Sequence, residues 1–77
     1  MEKNKVGLAI KKYREKAGMS QLELSTAIGL KGKGIISKYE RGERMPTLEK
    51  TLPKICEVLN IEYDIIFTDN NDISDTN

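Results

Sequence analysis

The residues of this sequence with the clearest binding chemistry are lysine and arginine, and most of them lie in its first half. Residues 1–44 carry eleven Lys or Arg against five Asp or Glu, whereas residues 45–77 carry two against seven. A surface rich in lysine and arginine attracts polyanions such as the phosphate backbone of nucleic acids, although the net charge of the whole chain is only +1. The charge distribution therefore favours a nucleic-acid partner, with solvated helix faces that cluster by sign as the alternative.

The supply of catalytic and metal-binding side chains is small. The sequence has no histidine and a single cysteine, Cys56, so it offers neither an internal disulfide nor a Cys/His zinc site. Cys56 falls in an apolar helical pattern, which indicates a small buried hydrophobic residue. A domain of 77 residues is also too small to enclose a large cleft. We therefore expect no enzyme activity, no metal and no cofactor.

The cysteine content and hydropathy also indicate a cellular location. A lone cysteine fits a reducing compartment, because small secreted domains usually need disulfides. The N-terminal sequence resembles no secretory signal, and no apolar run approaches the roughly 20 residues of a membrane span. We expect a soluble cytoplasmic protein with no membrane association and no evident small-molecule ligand.

Two helices with clear ends are predicted in the basic half. Apolar residues recur at steps of three and four over residues 6–17, and Gly18 ends this first helix. Its apolar face is formed by Val6, Ala9, Ile10, Tyr13 and Ala17. Ser20 can then cap a second helix, and Glu23 three residues later completes a capping box. The second helix is predicted over about residues 21–28, a length of two turns.

Two further helices are predicted after these. A glycine-rich basic turn over residues 30–34 precedes a third helix, which begins at Ile35 and ends at the next glycine. A fourth helix is predicted from an apolar stripe of Leu52, Ile55, Cys56 and Leu59. Pro53 fits comfortably only in a first turn, so the fourth helix either starts near residues 51–52, or starts near Leu48 and is kinked.

The last third of the sequence contains one more short element and a polar end. Residues 63–67 are apolar except for Asp64 and are predicted to form a helical turn rather than a brief strand. Residues 68–77 contain three aspartates, no basic residue and one isolated isoleucine, so they bury too little to offset the entropy of ordering. The sequence therefore predicts one domain over residues 1–67 and an acidic disordered tail over residues 68–77.

A set of residues at fixed spacing extends over most of the chain, from Ile10 to Phe67. It comprises Arg14, Gly18-Met19-Ser20-Gln21, Leu24, Ser25, Ala27, Gly29, residues 36–46 (ISKYERGERMP), Leu59-Asn60 and residues 64–67. This set resembles the lambda-repressor-like helix-turn-helix family, also called Cro/CI-type or XRE. The resemblance implies an all-α compact bundle of four to five short helices that binds double-stranded DNA. It further implies a transcriptional regulator, with a homodimeric repressor of phage or mobile-element type as the expectation.

The resemblance also implies which residues read DNA bases. By family position they come from the start and exposed face of the third helix: Lys33, Gly34, Ile35, Ser37 and Lys38. Lys33 and Lys38 are the best candidates, since lysine can donate to guanine acceptors. The turn before this helix is one residue longer than the commonest family pattern, and Gly32 and Gly34 offer no side chain.

Phosphate contacts and a structural ion pair follow from the same resemblance. The candidate phosphate ligands are Gln21 at the first turn of the second helix, together with Lys31, Arg41 and Arg44. A phosphate suits the free N–H groups at a helix start. Arg14 and Glu40 are expected to form a buried ion pair between the first and third helices, with a structural role.

The apolar C-terminal cluster predicts self-association. Tyr63, Ile65, Ile66 and Phe67 are more than so short a final element needs for its own core, and they form the candidate dimer interface. One alternative stays open. The chain could be an antitoxin or another protein-interaction module for which DNA binding is secondary.

Overall fold

The protein forms an all-helical fold. The structure, a computed structural model, describes the backbone of residues 2–67 and the side chains of residues 5–67. It contains α1 (Glu2–Lys16), α2 (Gln21–Ala27), α3 (Gly34–Arg41), α4 (Thr51–Leu59) and α5 (63–67). No strand occurs within residues 2–67. The predicted all-α bundle is thereby confirmed, whereas the predicted acidic tail lies outside the described residues.

Helix boundaries agree with the prediction except at α1. This helix begins at Glu2 rather than at residue 6. The four residues before Val6 are polar and add nothing to the apolar stripe, so the pattern could not reveal that the helix continues through them. α4 begins at Thr51, which decides between the two predicted starts. Pro53 is thus its third residue, where the missing N–H would have no helical partner.

Local signals define the start of α2 and the end of α3. The Ser20 hydroxyl accepts a hydrogen bond from the Glu23 backbone N–H at 3.0 Å, and the Glu23 carboxylate accepts one from the Ser20 N–H at 2.8 Å. The predicted capping box is therefore confirmed. Gly42 ends α3 in the left-handed conformation, with a φ of 77°, which only glycine adopts without steric cost.

One apolar core joins all five helices. Its buried members are Val6, Ala9, Ile10, Leu24, Ile28, Ile36, Tyr39, Leu52, Ile55, Cys56, Leu59 and Ile66. Burial raises the pKa of the Cys56 thiol, which is free and buried as its sequence context indicates. Ile66 has no exposed surface. It belongs to the core of the single chain. The prediction that Ile66 lies in a dimer interface was therefore wrong.

Backbone contact fixes how α1 crosses α3. A Cβ atom on Gly7 would lie 2.1 Å from the Tyr39 carbonyl oxygen and 3.0 Å from that of Glu40. No side chain larger than hydrogen fits between the two helices at this point. The sequence pattern did not single out Gly7, because its role depends on a helix more than thirty residues away.

Among the helices of residues 2–67, none combines the length and apolarity needed to cross a membrane.

Gly7→Ala should destabilise the fold by about 1–3 kcal/mol, the usual cost of overpacking. The obstacle is a backbone carbonyl, so it can be relieved only by moving α3. Urea unfolding followed by circular dichroism measures the change. Gly34→Ala is the matched control, since nothing lies within 4 Å of a Cβ at that helical position. Equal unfolding midpoints for the two variants would contradict the proposed close contact.

Candidate nucleic-acid interface

α2 and α3 form a bihelical unit joined by a turn over residues 28–33. α3 packs against both α1 and α2, and Leu24, Ser25 and Ile36 are fully buried. Of the five predicted base readers, Lys33, Gly34 and Lys38 are exposed, whereas Ile35 and Ser37 are half-buried. These residues lie at the start of α3 and along its outer side. Lys31 is exposed in the preceding turn.

An exposed hydrogen-bonded group lies at the end of α3. Arg41 donates to the Ser37 hydroxyl at 2.6 Å, and its Nε and Nη2 atoms donate to the Glu43 carboxylate at 2.8 and 3.1 Å. Hydrogen bonding to Arg41 lowers the pKa of Glu43, and hydrogen bonding to Glu43 raises the pKa of Arg41. The pair is fully solvated, so it adds little stability. The Glu43 carboxylate is therefore bound to the Arg41 guanidinium, which the sequence analysis predicted to bind a phosphate.

A buried bidentate ion pair connects α3 to α1. Arg14 Nε donates to Glu40 Oε2 at 2.6 Å, and Nη2 donates to Oε1 at 3.1 Å. Arg14 Nη1 also donates to the Met19 carbonyl at 2.8 Å, which ties the loop before α2 to the same guanidinium. Arg14 is 8% exposed and Glu40 is 7% exposed. The hydrogen bond to Glu40 is the main reason that the pKa of Arg14 is raised.

Gln21 extends this network to α2. Its side-chain amide donates to Glu40 Oε1 at 2.9 Å, so the first residue of α2 is bonded to the next-to-last residue of α3. The sequence assigned Gln21 only to phosphate. An amide NH₂ group has two donors, so Gln21 retains one for another acceptor. Arg14, Gln21 and Glu40 together connect three helices through one carboxylate.

The turn between α2 and α3 is also connected to a buried polar group. The Ser25 hydroxyl donates a hydrogen bond to the Gly32 carbonyl, and the Ser25 carbonyl accepts one from the Leu30 N–H at 2.9 Å. Ser25 itself has no exposed surface. Sequence analysis identified Ser25 as a small residue between helices. It did not identify the hydroxyl as a partner of the turn.

Two lysines of the acidic second half lie beside this turn. Lys50 and Lys54 line an open depression of about 280 Å³ with Thr51, and its other walls are Ile28 and Leu30. Counting charges along the chain could not reveal this arrangement. The fold brings the two basic residues of the second half to the end of α2, next to the basic turn.

Arg44, another predicted phosphate ligand, is exposed in the loop after α3.

Removing one partner of the buried pair should strongly destabilise the protein. Arg14→Met and Glu40→Gln should each cost about 3–5 kcal/mol, because each leaves a buried partner without its counter-charge. The double variant Arg14→Met/Glu40→Gln should cost less than the two single losses added together. Urea unfolding measures all three free energies.

Gln21→Ala provides a control within the same network. It removes one hydrogen bond but no charge, so it should cost only about 0.5–1.5 kcal/mol. Additive losses in the double variant, or single losses no larger than that of Gln21→Ala, would show that the pair is not a coupled structural unit.

Comparisons with known proteins agree with this geometry. A family model described as Helix-turn-helix matches residues 10–66. The clp gene regulator ClgR from Corynebacterium glutamicum has a solved structure with a TM-score of 0.79 and 23% identity, covering 86% of this chain and 68% of that one. A second ClgR structure gives a TM-score of 0.77 at 23% identity, covering 86% of this chain and 83% of that one.

A third solved structure is similar over almost its whole length. The restriction-modification controller protein C.AhdI from Aeromonas hydrophila has a TM-score of 0.77 and 28% identity, covering 84% of this chain and 96% of that one. No curated protein matches the sequence.

Proposed function

This chain belongs to the helix-turn-helix family of DNA-binding transcriptional regulators, and we propose that it is a homodimeric repressor of phage or mobile-element type. It reads an operator in double-stranded DNA through α3. The observation that carries the proposal is the buried Arg14–Glu40 pair, which fixes α3 against α1 while Lys38 and Arg41 on α3 remain exposed. A helix held in this way can present its exposed face to the major groove without reorienting.

The exposed side of α3 has the chemistry for base recognition. The major groove of B-DNA is wide enough to admit one α-helix, and guanine presents two acceptors there. Lys33 and Lys38 supply donors for these acceptors. Ser37 supplies a hydroxyl and Ile35 an apolar surface suited to a thymine methyl group. Gly34, without a side chain, lets the start of the helix approach the bases closely.

Phosphate ligands flank this surface. We assign them to Gln21 at the start of α2, Lys31 in the turn, and Arg41 and Arg44 at the end of α3 and after it. For Arg41 the contact is an exchange, because a phosphate must replace the Glu43 carboxylate that the guanidinium binds in the free protein. Such contacts fix the position of the protein on the duplex without reading its sequence.

Exposed apolar residues near the C-terminal helix support the homodimer. The Tyr63 and Phe67 rings pack edge to face with centroids 5.3 Å apart, and both remain more than a third exposed. The Tyr63 hydroxyl donates to the Leu48 carbonyl at 3.3 Å, and Leu48 is half exposed. We propose Tyr63, Ile65 and Phe67, with the adjoining Leu48, as the interface. A two-fold dimer would place its reading helices about 34 Å apart, one turn of DNA.

The same exposed apolar residues favour one second candidate. An antitoxin or other protein-interaction module would use Leu48, Tyr63 and Phe67 to bind a different protein, with DNA binding secondary. Similarity to both a clp gene regulator and a restriction-modification controller supports gene regulation without selecting its context. The DNA-binding experiment below separates the two functions, because a regulator that reads an operator must discriminate between duplexes, whereas a module that acts by binding another protein need not.

Base-reading and phosphate-binding residues should differ in how they affect specificity. Lys33→Ala and Lys38→Ala should each weaken binding to the preferred site by about 1–3 kcal/mol and affect a scrambled duplex much less. Gln21→Ala and Arg44→Ala should weaken both duplexes similarly. Arg44→Ala should also reduce the slope of log affinity against log salt by about 0.9 per phosphate lost, whereas neutral Gln21 should barely change it.

The measurement is fluorescence anisotropy on a site selected from random duplexes, at three salt concentrations. Lys11→Ala is the matched lysine control, since Lys11 is exposed on α1. It should affect both duplexes slightly and equally. Equal weakening of both duplexes by Lys33→Ala and Lys38→Ala would remove these lysines as base readers. A wild-type protein that prefers no duplex would contradict the repressor itself.

Replacing the exposed aromatic pair should abolish the dimer without unfolding the chain. Tyr63→Ser/Phe67→Ser is expected to sediment as a monomer at high micromolar concentration, where the wild type sediments as a dimer. Leu8→Ser is the control, because Leu8 is 48% exposed on α1 and lies outside the proposed interface. It should remain dimeric. A wild type that is monomeric both free and on DNA would exclude the homodimer.

A further inference from the structure

Residues 31–33, which carry the two lysines of the turn, are exposed, whereas Leu30 before them packs against the core. Gly29 and Gly32 have φ values of +87° and +69°, and nothing lies within 4 Å of a Cβ built at either position. Glycine-rich backbone has high conformational entropy unless other contacts restrain it. A contact from outside residues 31–33 must therefore restrain them if Lys31 and Lys33 are to have a defined position.

Ser25 supplies that restraint from inside the α2–α3 contact. Its hydroxyl donates to the Gly32 carbonyl, and its own carbonyl accepts from the Leu30 N–H at 2.9 Å. One fully buried residue is thus bonded to positions on both sides of Lys31. An alanine would fill nearly the same volume and keep the bond to Leu30. Only the bond to Gly32, between the two lysines, depends on the hydroxyl.

We propose that Ser25 is a positioning residue for DNA recognition, whose hydroxyl holds the turn so that Lys31 and Lys33 are arranged before DNA binds. The inference rests on the proposed function, in which these lysines contact phosphate and bases. Ordering a segment on binding costs free energy, and a segment that is ordered beforehand avoids that cost. Ser25 thus increases affinity without touching DNA.

A role in positioning differs measurably from a role in folding. Gly32 is exposed, so its carbonyl can bond to water when the hydroxyl is removed. Ser25→Ala should therefore leave the urea midpoint close to that of the wild type. The amides of the turn should exchange with solvent faster, whereas those in the middle of α3 should keep their protection. A large fall in the midpoint would overturn the proposal, because it would assign Ser25 to the fold itself.

The decisive experiment is a double-mutant cycle on DNA affinity. It compares the wild type, Ser25→Ala, Lys31→Ala/Lys33→Ala and the triple variant on the preferred duplex. Ser25→Ala should weaken binding about 3- to 10-fold in the wild-type background, the equivalent of one net hydrogen bond. In the background without the two lysines it should change binding less than about 2-fold, because there is nothing left to position.

Thr26→Ala is the control, because Thr26 is the exposed neighbour of Ser25 on α2. It should leave both affinity and exchange of the turn amides unchanged. Equal loss from Ser25→Ala in both backgrounds would overturn the positioning role while leaving the repressor intact. A wild type without preference for any duplex would instead remove the proposed function, and this inference with it.

Discussion

The bond between Arg14 and Glu40 is the interaction on which the arrangement of the helices depends. It joins α1 to the end of α3, and Glu40 also accepts from Gln21 at the start of α2. A buried charge needs a well-oriented partner, so a rotation of α3 that separated the pair would be penalised more than the same rotation at an apolar contact. The surface of α3 is thereby directed by a polar network rather than by the hydrophobic core alone.

The charges of the protein are arranged differently in space than along the chain. The second half of the sequence is acidic, yet its lysines at positions 50 and 54 lie beside the basic turn that precedes α3. In the basic half, Arg41 is bound to Glu43 and does not present a free cation. Tertiary packing therefore decides which basic residues share a surface. A count of charges along the sequence gives only the sign of the charge of each half.

Sequence analysis succeeded where the signal is local. The capping box at Ser20, the glycine after α3 and the apolar stripe of α4 each specify a helix end or face within a few residues. It missed features that need two distant segments, such as the hydroxyl of Ser25 on the turn. Ile66 shows the same limit. Its apolar character is plain in the sequence, but only packing decides whether it lies in the core or at an interface.

The close passage of Gly7 against the carbonyls of α3 has a consequence for protein engineering. At this point the backbone itself is the contact surface, so the spacing of α1 and α3 cannot drift as other side chains are exchanged. The spacing of α1 and α3 can therefore be kept while the surface proposed to read DNA is varied. Under the proposed function, new operator specificities can be sought by randomising positions 33, 37 and 38 on an unchanged frame, as long as position 7 is left out of the library.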